Sequence, residues 1–407
     1  MGQLASFAGR QGSHRQTAPM LTRFLHTADW QLGKPYGTME DAEKREPAKV
    51  ARLDVLDRIG ELVKSEGAQF VVVAGDLFDS LHPSKTTVSA AFNKIGQWKV
   101  PVYAIPGNHD FGGQGGAWDQ PYLLKEMEQQ APNFRIILTR EPLVLEDIVL
   151  LPCPLLSRMD HADPSLWIQQ VDFSSPEFQG KPRIVLAHGT VQGFSSSSDE
   201  DGGVSVTSNH IRHESLPMAE IDYVALGDWH GMRECAPKVW YSGTPEIDRF
   251  PKGTENKPGF TLSVEAARGQ SPKVKEITTS ILQWHVREFS VNSDADVLTV
   301  ESQLQAILEK RVNKDLLQLT LSGKLGIEAN QRLEELIETI RGRIIRVKRY
   351  GEIQTVPSDA EIQMLTQSTA NPLTANVAKL LIAKSTLPGD EGRIAHLALR
   401  ELFVNLK

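Results

Sequence analysis

Five short segments of this 407-residue sequence place side chains that could bind metal ions directly after apolar stretches. Each contains Asp, Asn, Gln or His, and four also contain a glycine, which lets the backbone turn sharply beside an ion or a phosphate. Ligands of open α/β sheets bind beyond the carboxyl ends of the strands. We therefore expect these segments to meet at one sheet edge: 26–31 (HTADWQ), 75–79 (GDLFD), 107–110 (GNHD), 188–190 (HGT) and 227–230 (GDWH).

Carboxylate, amide and imidazole groups make up the candidate metal ligands. They are Asp29, Gln31, Asp76, Asn108, His188, Asp228 and His230. Such ligands without thiolates suit manganese, magnesium, iron or zinc rather than copper. Seven are too many for one ordinary site but suit two ions that share a bridging carboxylate. Two ions about 3.5–4 Å apart can stabilise both the attacking and the leaving oxygen of a phosphoryl group.

Each segment also has a structural interpretation when it is taken alone. Asp29 could cap a helix, residues 108–110 could form a turn, and His188 and His230 could be hydrogen-bonded core histidines. The occurrence of all five segments in this order, each after an apolar run, favours the metal site for the set.

The apolar stretches predict the strands that position these segments. Strands are predicted over 24–27, 70–74, 100–105, 183–187, 223–226, 238–241, 260–264 and 273–283, with helices over 48–64, 85–98 and near 164–170. Helices alternating with buried strands indicate an α/β fold. The Gly/Ser-rich segment 193–206 predicts a mobile loop.

The pattern changes along the chain and predicts four regions. Residues 1–22 are read as a disordered tail and 23–284 as the domain that carries the motifs. Residues 285–360 are read as a small α+β domain, with helices over 298–312 and 328–341 and strands over 316–321 and 344–350. Residues 361–407 are read as a helical segment, with two helices from 371 onward broken at 387–389.

Composition excludes several classes of protein. With 40% hydrophobic and 23% charged residues the chain is an ordinary globular protein, and no stretch of the sequence approaches the roughly 20 apolar residues of a membrane helix. A net charge of -7 argues against a protein that coats nucleic acid, but not against an enzyme whose carboxylates bind divalent cations. The two cysteines form no disulfide framework, so we expect a cytoplasmic protein.

The ordered set D-x-Q, G-D, G-N-H-D, H-x-T and G-D-x-H resembles the calcineurin-like binuclear metallophosphoesterase superfamily, over about residues 29–230. Within it, the chain resembles the SbcD-type DNA-repair nucleases in the opening FLHTADWQLG, the GDLFD variant, the YSGTPEIDRF segment and the small domain after the core. This resemblance implies an α/β fold in which a four-layer, two-sheet sandwich is followed by a smaller α+β capping domain and C-terminal helices.

The resemblance also implies a role for each site residue. The first ion would be held by Asp29, Gln31, Asp76 and His230. The second would be held by Asp76, Asn108, His188 and Asp228, with Asp76 as the bridge. His109 would contact the phosphate or protonate the leaving oxygen, and Asp110 would orient His109.

Two positions depart from the family pattern. Gln31 stands where histidine is common, and Asp228 stands where the motif usually reads G-H-x-H. The first change replaces an imidazole by a neutral oxygen ligand and the second adds an anion. Both harden the site, so we expect a preference for manganese.

A cationic run over residues 341–350 lies on a predicted strand of the small domain. Strand alternation would leave Arg346 and Lys348 on one face. These two side chains could contact a phosphate backbone, which needs only positive charge at suitable spacing, or they could belong to a solvated outer face.

These observations predict a manganese-dependent DNA nuclease that hydrolyses phosphodiester bonds by a two-metal mechanism in DNA repair, chiefly as a single-strand endonuclease, with exonuclease action as a second activity. The alternatives are a nucleotide phosphodiesterase or protein phosphatase of the same superfamily, and a non-catalytic DNA-binding scaffold. The resemblance implies a homodimer and an SbcC-like coiled-coil ATPase partner, bound through C-terminal helices that carry Val377, Leu380 and Leu381. Those helices could equally pack on their own protein.

Overall fold

The computed structural model describes residues 20–39, 41–191, 209–250, 256–367 and 372–404. The strands are β1 (Leu21–Thr27), β2 (Phe70–Ala74), β3 (Val102–Ile105), β4 (Phe134–Ile136), β5 (Leu143–Val144), β6 (Val149–Cys153), β7 (Arg183–His188), β8 (Thr190–Val191), β9 (His210–Ile211), β10 (Tyr223–Gly227), β11 (Arg233–Ala236), β12 (Val239–Tyr241), β13 (Phe260–Ala267), β14 (Lys273–Thr278), β15 (Gln283–Val291), β16 (Asp315–Leu325), β17 (Arg346–Tyr350) and β18 (Ile353–Thr355). The helices are α1 (Ala42–Ser65), α2 (Lys85–Gly96), α3 (Pro121–Gln130), α4 (Asp294–Leu308), α5 (Ile327–Arg343), α6 (Asp359–Thr366), α7 (Pro372–Ser385) and α8 (Asp390–Val404).

Two predictions concern segments at or beyond the limits of the described residues. The loop over 193–206 and residues 1–19 of the tail lie outside them. Leu21 and Thr22, which were also assigned to the tail, are the first residues of β1 and pair with β13. The tail boundary at 22 was therefore two residues too late, because the pairing partner of this strand end lies about 240 residues away, where no local pattern can indicate it.

Two six-stranded sheets form the centre of the molecule. Their strand orders are β14-β13-β1-β2-β3-β4 and β11-β12-β10-β7-β6-β5. Phe24 and Val72 of the first sheet pack against Ile184 and Ala225 of the second, so the interior between the sheets is apolar. Helices α1, α2 and α3 cover the outer face of the first sheet. This arrangement confirms the predicted two-sheet α/β sandwich.

The outer face of the second sheet is covered differently from that of the first. Ile168 and Phe178, which lie in 3-10 helical turns, pack on it together with loop residues such as Leu216. The helix predicted near 164–170 is one of these turns, over Leu166–Gln170.

Helix α1 begins six residues before the predicted start at 48. Asp41 caps it by accepting a hydrogen bond from the Glu43 backbone N–H at 2.8 Å. The first turns contain no apolar periodicity, so only the cap could have indicated this start. Helix α1 then packs Leu56 and Ile59 against the first sheet, behind the strand ends that carry the candidate ligands.

A third, smaller sheet follows the sandwich. Strands β15, β16 and β17 run parallel, and β18 pairs with the far end of β16. Helices α4 and α5 cover one face of this sheet. Its near end contacts the sandwich through Leu316 and Ile345, which pack with Tyr36 and Phe250. The sheet is thereby fixed beside the loop that joins β1 to α1.

Helices α6, α7 and α8 pack on the start of α5. Leu365, Ala378, Leu399 and Phe403 bury their side chains around Ile327. Within the described ranges, no helix has the length and apolar character needed to span a bilayer.

His26 joins the two central sheets. Its ring nitrogens lie 2.9 Å from the Tyr223 hydroxyl and 3.2 Å from the Leu226 carbonyl oxygen, and the side chain is fully buried. Both partners belong to the β10 region of the opposite sheet. Burial lowers the pKa of His26 to about 3, so the ring stays neutral.

Replacing His26 by asparagine is expected to weaken the acid sensitivity of folding. The ordinary pKa of histidine is 6.5, so below this pH the unfolded chain takes up a proton on residue 26. The folded protein excludes that proton until about pH 3. Stability is therefore lost as pH falls through this window, by about 1.4 kcal/mol per pH unit. Urea unfolding should show wild type losing about 2 kcal/mol more than His26→Asn between pH 7 and pH 5. The role would be contradicted if wild type and His26→Asn lost equal stability between pH 7 and pH 5. It would also be contradicted if His161→Asn, a control at an exposed site, showed the same reduced loss as His26→Asn.

Candidate metal centre

The carboxyl ends of five strands carry the candidate ligands. In the first sheet, three of them follow the parallel strands β1, β2 and β3; in the second sheet, two lie at the ends of the parallel strands β7 and β10. They are, in that order, Asp29, Asp76, Asn108, His188 and Asp228. Both sheets thus present these ends at the same side of the sandwich.

Hydrogen bonds between the two sheets close this side of the sandwich. His188 Nδ1 lies 2.7 Å from the Ala74 carbonyl oxygen. The Asp228 backbone N–H donates to the Asp29 carboxylate at 3.1 Å. Motifs that are distant in sequence therefore lie in contact around one point.

Four of the candidate ligands have a backbone conformation that non-glycine residues rarely adopt. The φ angles of Asp29, Gln31, Asp76 and Asp228 are 52°, 42°, 53° and 100°. Backbone bonds hold the strained turns in place, for example Gln31 N to Asp76 O at 2.9 Å. Strain of this kind costs about 1–3 kcal/mol per residue and concentrates at functional sites, where the turn aims a side chain inward.

One set of donor atoms surrounds His188 Nε2. It lies 2.9 Å from Asn108 Oδ1, 3.6 Å from Asp76 Oδ1 and 3.8 Å from Asp228 Oδ1. Because Nδ1 donates to a carbonyl oxygen, Nε2 is the ring nitrogen that faces these oxygens and could bind a metal ion. These four residues are the set predicted to hold the second ion.

A glycine gives His188 the space for this position. Gly75 has a φ of 92°, and a Cβ added there would lie 2.3 Å from His188 Nδ1. Any other residue at 75 would displace the imidazole. The glycine of the G-D motif therefore leaves room for His188 of β7 in addition to forming its own turn.

The predicted ligands of the first ion lie beside this set. Ligand atoms of Asp29, Asp76 and His188 all lie within 4.8 Å of one another, and all three residues are buried. Gln31 Nε2 lies 3.3 Å from His230 Nε2, which brings the remaining two residues into contact. All seven predicted ligands are thus gathered at this side of the sandwich.

Burial and neighbouring charges shift the pKa values here. Burial raises the pKa of Asp29, which His188 and His230 offset only in part. Burial opposes ionisation of Asp76 too, but His188 and His109 outweigh it and leave its pKa below the ordinary value. For His188, burial favours the neutral ring, yet the surrounding carboxylates raise its pKa to about 9. The shifts of Asp29 and His188 show that positive charge among these ligands is favoured.

The donor set fits divalent metal ions. Oxygens of three aspartates, an asparagine and imidazole nitrogens converge there, in a mixture that suits hard or borderline cations. A divalent ion in this position would displace the proton of His188 and balance the carboxylates.

Comparison with known families agrees with this geometry. The profile described as calcineurin-like phosphoesterase matches residues 22–232, slightly more than half of the chain. The chain belongs to the calcineurin-like phosphoesterase family. Members of this family are metal-dependent phosphoesterases, and phosphoester hydrolysis at a dimetal centre is the activity that it assigns to this site.

Several solved structures share part of this phosphoesterase's length. The TT1561 protein of Thermus thermophilus is 14% identical, with a TM-score of 0.37 over 64% of this chain and 99% of that one. GAP50, the anchor in the inner membrane complex of Plasmodium, is 14% identical, with a TM-score of 0.34 over 64% and 89%. A dimetal phosphatase from Danio rerio is 15% identical, with a TM-score of 0.33 over 65% and 100%. Likenesses this distant do not carry the function of any of these proteins over to this one.

His109 of the phosphoesterase faces the metal ligands. Its backbone N–H donates to Asp76 Oδ1 at 2.9 Å, and its ring Nδ1 lies 3.0 Å from the Asp79 carbonyl oxygen. Because Nδ1 contacts this carbonyl oxygen, Nε2 is the ring nitrogen that a phosphate could contact. The negative charge of Asp76 raises the pKa of His109 despite burial, which favours the protonated ring.

Asp110, which was predicted to orient His109, contacts the backbone of two loops. Its carboxylate accepts hydrogen bonds from the backbone N–H groups of Gly107, Leu77 and Phe78, at 2.8, 3.0 and 3.3 Å. The ring of His109 is instead oriented by the Asp79 carbonyl oxygen. Asp110 therefore joins the G-D turn to the G-N-H-D loop and positions both; burial, reinforced by Asp76, raises its pKa.

Two functional residues escaped the sequence analysis. Asp248 Oδ2 lies 3.0 Å from His230 Nδ1, and Lys34 Nζ lies 2.9 Å from Gln31 Oε1. Asp248 belongs to the YSGTPEIDRF segment, which had been used only as a sign of resemblance. The carboxylate in this segment could have indicated Asp248, because metal-binding histidines commonly donate their second N–H to such a group.

Trp30 packs behind the metal loops. It is fully buried, its indole N–H donates to the Thr27 hydroxyl at 2.9 Å, and its ring packs edge-on against Trp98. These contacts place Trp30 in the core behind the metal loops.

Arg346 and Lys348 lie on β17 of the third sheet, away from the ligands themselves. The guanidinium of Arg346 donates to the Thr38 carbonyl oxygen at 3.0 Å, and Lys348 Nζ lies 5.4 Å from the centre of the Tyr350 ring. Thr38 belongs to the loop between β1 and α1, which also carries Gln31 and Lys34.

Proposed function

We propose that this phosphoesterase is a manganese-dependent DNA nuclease of DNA repair, acting mainly as an endonuclease on single strands and secondarily as an exonuclease. One observation carries the choice of DNA. The third sheet carries cationic and aromatic side chains on the face opposite α4 and α5, where Arg346 and Lys348 are partly exposed and Tyr350 is exposed. A polymeric phosphodiester could use such a surface, whereas a small phosphoester has no use for it.

Strand alternation identifies this face. Leu317, Leu319 and Val347 pack under α4 and α5, so the alternate residues of β17 face the other way. Those residues include Arg346 and Lys348, and the ring of Tyr350 is 43% exposed. Guanidinium and ammonium groups bind phosphates, and an exposed ring can stack on an unpaired base.

The preference for manganese rests on the donor set. Gln31 supplies an amide and Asp228 a carboxylate where related motifs carry imidazole. More oxygen and less nitrogen favour a harder ion. An activity titration in which zinc was clearly better than manganese would overturn this preference.

Individual residues of the chain have separate roles in the proposed hydrolysis. When bound, the two ions activate water and neutralise charge on the phosphate. Asp76, Asn108 and Asp29 would hold these ions and would thereby determine where the phosphate binds. His109 directs Nε2 toward the phosphate or the leaving oxygen, and its raised pKa favours the proton-donating form. Asp110 holds the two loops that carry Asp76 and His109 at a fixed spacing.

The experiment that tests this function is incubation with circular single-stranded and linear duplex DNA in manganese. Cleavage of the circle shows endonuclease action directly, because a circle has no end. Turnover of cyclic nucleotides or phosphopeptides without cleavage of DNA would favour a nucleotide phosphodiesterase or protein phosphatase. DNA binding without cleavage, unchanged in an Asn108→Ala variant, would favour a non-catalytic scaffold.

Removing the two cations of β17 is expected to weaken DNA cleavage selectively. The double variant Arg346→Gln, Lys348→Gln should raise the KM for DNA roughly tenfold. The slope of log binding constant against log salt concentration should become shallower by about one unit for each lost phosphate contact. Hydrolysis of bis(4-nitrophenyl) phosphate, which does not reach β17, should be unchanged. Lys273→Gln is the matched control, since this lysine of β14 has an 85% exposed side chain. A variant that treated both substrates like wild type would exclude this face as a DNA contact.

We further propose a homodimer and an SbcC-like coiled-coil ATPase as partners, with the ATPase bound through α7 and α8. Both helices expose large apolar side chains, among them Leu380, 64% exposed, and Ile394, 61% exposed. Val377 is partly exposed, whereas Leu381 packs inward on α5 and α6. The compartment we propose is the cytoplasm, where the free thiols of Cys153 and Cys235 would persist.

A further inference from the structure

Four residues beside the predicted first ion form a closed ring of hydrogen bonds and ion pairs. Lys34 Nζ lies 2.9 Å from Gln31 Oε1, and Gln31 Nε2 lies 3.3 Å from His230 Nε2. His230 Nδ1 lies 3.0 Å from Asp248 Oδ2, and that oxygen lies 3.5 Å from Lys34 Nζ. Lys34, Gln31, His230 and Asp248 are therefore linked into one cycle.

Donor and acceptor chemistry gives this ring one direction. An ammonium group has only donors, so Gln31 must turn its oxygen to Lys34 and its NH₂ group to His230. His230 accepts that bond at Nε2 in the tautomer whose Nδ1–H donates to Asp248 at 3.0 Å, although the Arg249 guanidinium also lies 3.1 Å from Nδ1. Arg249 reinforces this arrangement by bonding both carboxylate oxygens of Asp248, at 3.1 and 3.0 Å.

The ring occupies the atoms that the first ion would use. A hard cation binds the amide of glutamine through its oxygen, and here that oxygen accepts a bond from Lys34. The Nε2 lone pair of His230 is engaged by the Gln31 amide. The set around His188 differs, because its nitrogen and oxygens face one another without a lysine among them.

The positive charge of Lys34, like the hydrogen bonds of the ring, disfavours a metal ion at Gln31. The ammonium of Lys34 has a side chain only 15% exposed and is held by Asp79 at 3.7 Å as well as by Asp248. A partly buried positive charge beside Gln31 repels a divalent ion there more strongly than it repels one near His188 on the opposite sheet.

We infer that Lys34 makes the two halves of the metal centre unequal. The set Asp76, Asn108, His188 and Asp228 takes the first equivalent of metal, and the set with Gln31 and His230 takes a second only when Lys34 releases Gln31. Lys34 is thus a positioning residue that controls metal stoichiometry. This inference rests on the proposed two-metal centre but not on DNA as the substrate.

Manganese titration of the metal-free protein tests it, with calorimetry for affinities and electron paramagnetic resonance for coupling between the two ions. Wild type should bind one equivalent tightly and a second at least tenfold more weakly. Lys34→Met should tighten the weaker site, the set with Gln31 and His230, by about 10–100-fold, the range over which partners of metal ligands change affinity. The coupled signal should then appear at two equivalents.

Lys94→Met is the matched control. Lys94 is also ion-paired and largely covered, but its partners are Asp54 and Asp57 on α1, so this variant should titrate like wild type. Should Lys34→Met not fold, Lys34→Gln must show the same tightening through loss of charge. Two equal sites in wild type, or second-site affinities that Lys34 variants leave unchanged, would overturn the inference.

Failure of this inference is distinguishable from failure of the proposed function. A wild-type protein that bound two ions equally and still cleaved DNA would remove only the role of Lys34. A wild-type protein that bound no manganese would remove the two-metal function itself, and the inference with it.

Discussion

Asp76→Asn is expected to lower kcat for phosphodiester hydrolysis by at least about 10³-fold. Asp76 is the carboxylate shared by both predicted ligand sets and lies 3.6 Å from His188 Nε2. Metal ions contribute several kcal/mol of charge stabilisation in such reactions. The variant should fold, because an asparagine oxygen can still accept the His109 backbone N–H bond seen at 2.9 Å. Kinetics and elemental analysis should therefore show loss of both activity and bound manganese in a folded protein.

Asp57→Asn provides the control for this prediction. Asp57 is also an ion-paired aspartate, but it lies on the exposed face of α1 with a 57% exposed side chain. It should retain both metal and activity. An Asp76→Asn variant within tenfold of wild type would mean that Asp76 does not bridge the ions, and the assignment of the centre would have to be revised.

His109→Gln is expected to lower kcat by about 10²–10⁴-fold while metal content stays at the wild-type level. The ring is held by the Asp79 carbonyl oxygen at 3.0 Å, and Asp76 raises its pKa, so the protonated form can deliver a proton from Nε2. Glutamine can donate a hydrogen bond but cannot transfer a proton. Single-turnover kinetics with DNA, alongside elemental analysis, should separate this variant from Asp76→Asn.

A comparison of leaving groups decides what His109 does. If it protonates the leaving oxygen, the loss should be much smaller for a 4-nitrophenyl ester, whose leaving group needs little protonation. An equal loss on both substrates would show instead that His109 contacts the phosphate itself. His161→Gln, at an exposed position, should match wild type on both. Loss of metal from His109→Gln would contradict either role.

The sequence by itself determined the strands and the groups that follow them. Phe70–Ala74 is an uninterrupted apolar run and folds as a fully buried strand, with Asp76 two residues beyond its end. Such a run has few alternatives, since burial on both faces requires it, and the polar turn after it is a local feature. The same reasoning predicted β1, β7 and β10, and with them the gathering of Asp29, His188 and Asp228.

Only the tertiary structure decided what lies behind the ligands. Asp248 and Lys34 are separated by more than 200 residues, yet they pair with each other at 3.5 Å, while Asp248 contacts His230 and Lys34 contacts Gln31. His26 bonds to β10, and Asp110 bonds to the turn after β2. These contacts depend on how two sheets pack and in which register, which no periodicity or spacing specifies. The sequence determined which groups could bind metal, whereas the packing of the sheets decided which side chains hold those groups in place.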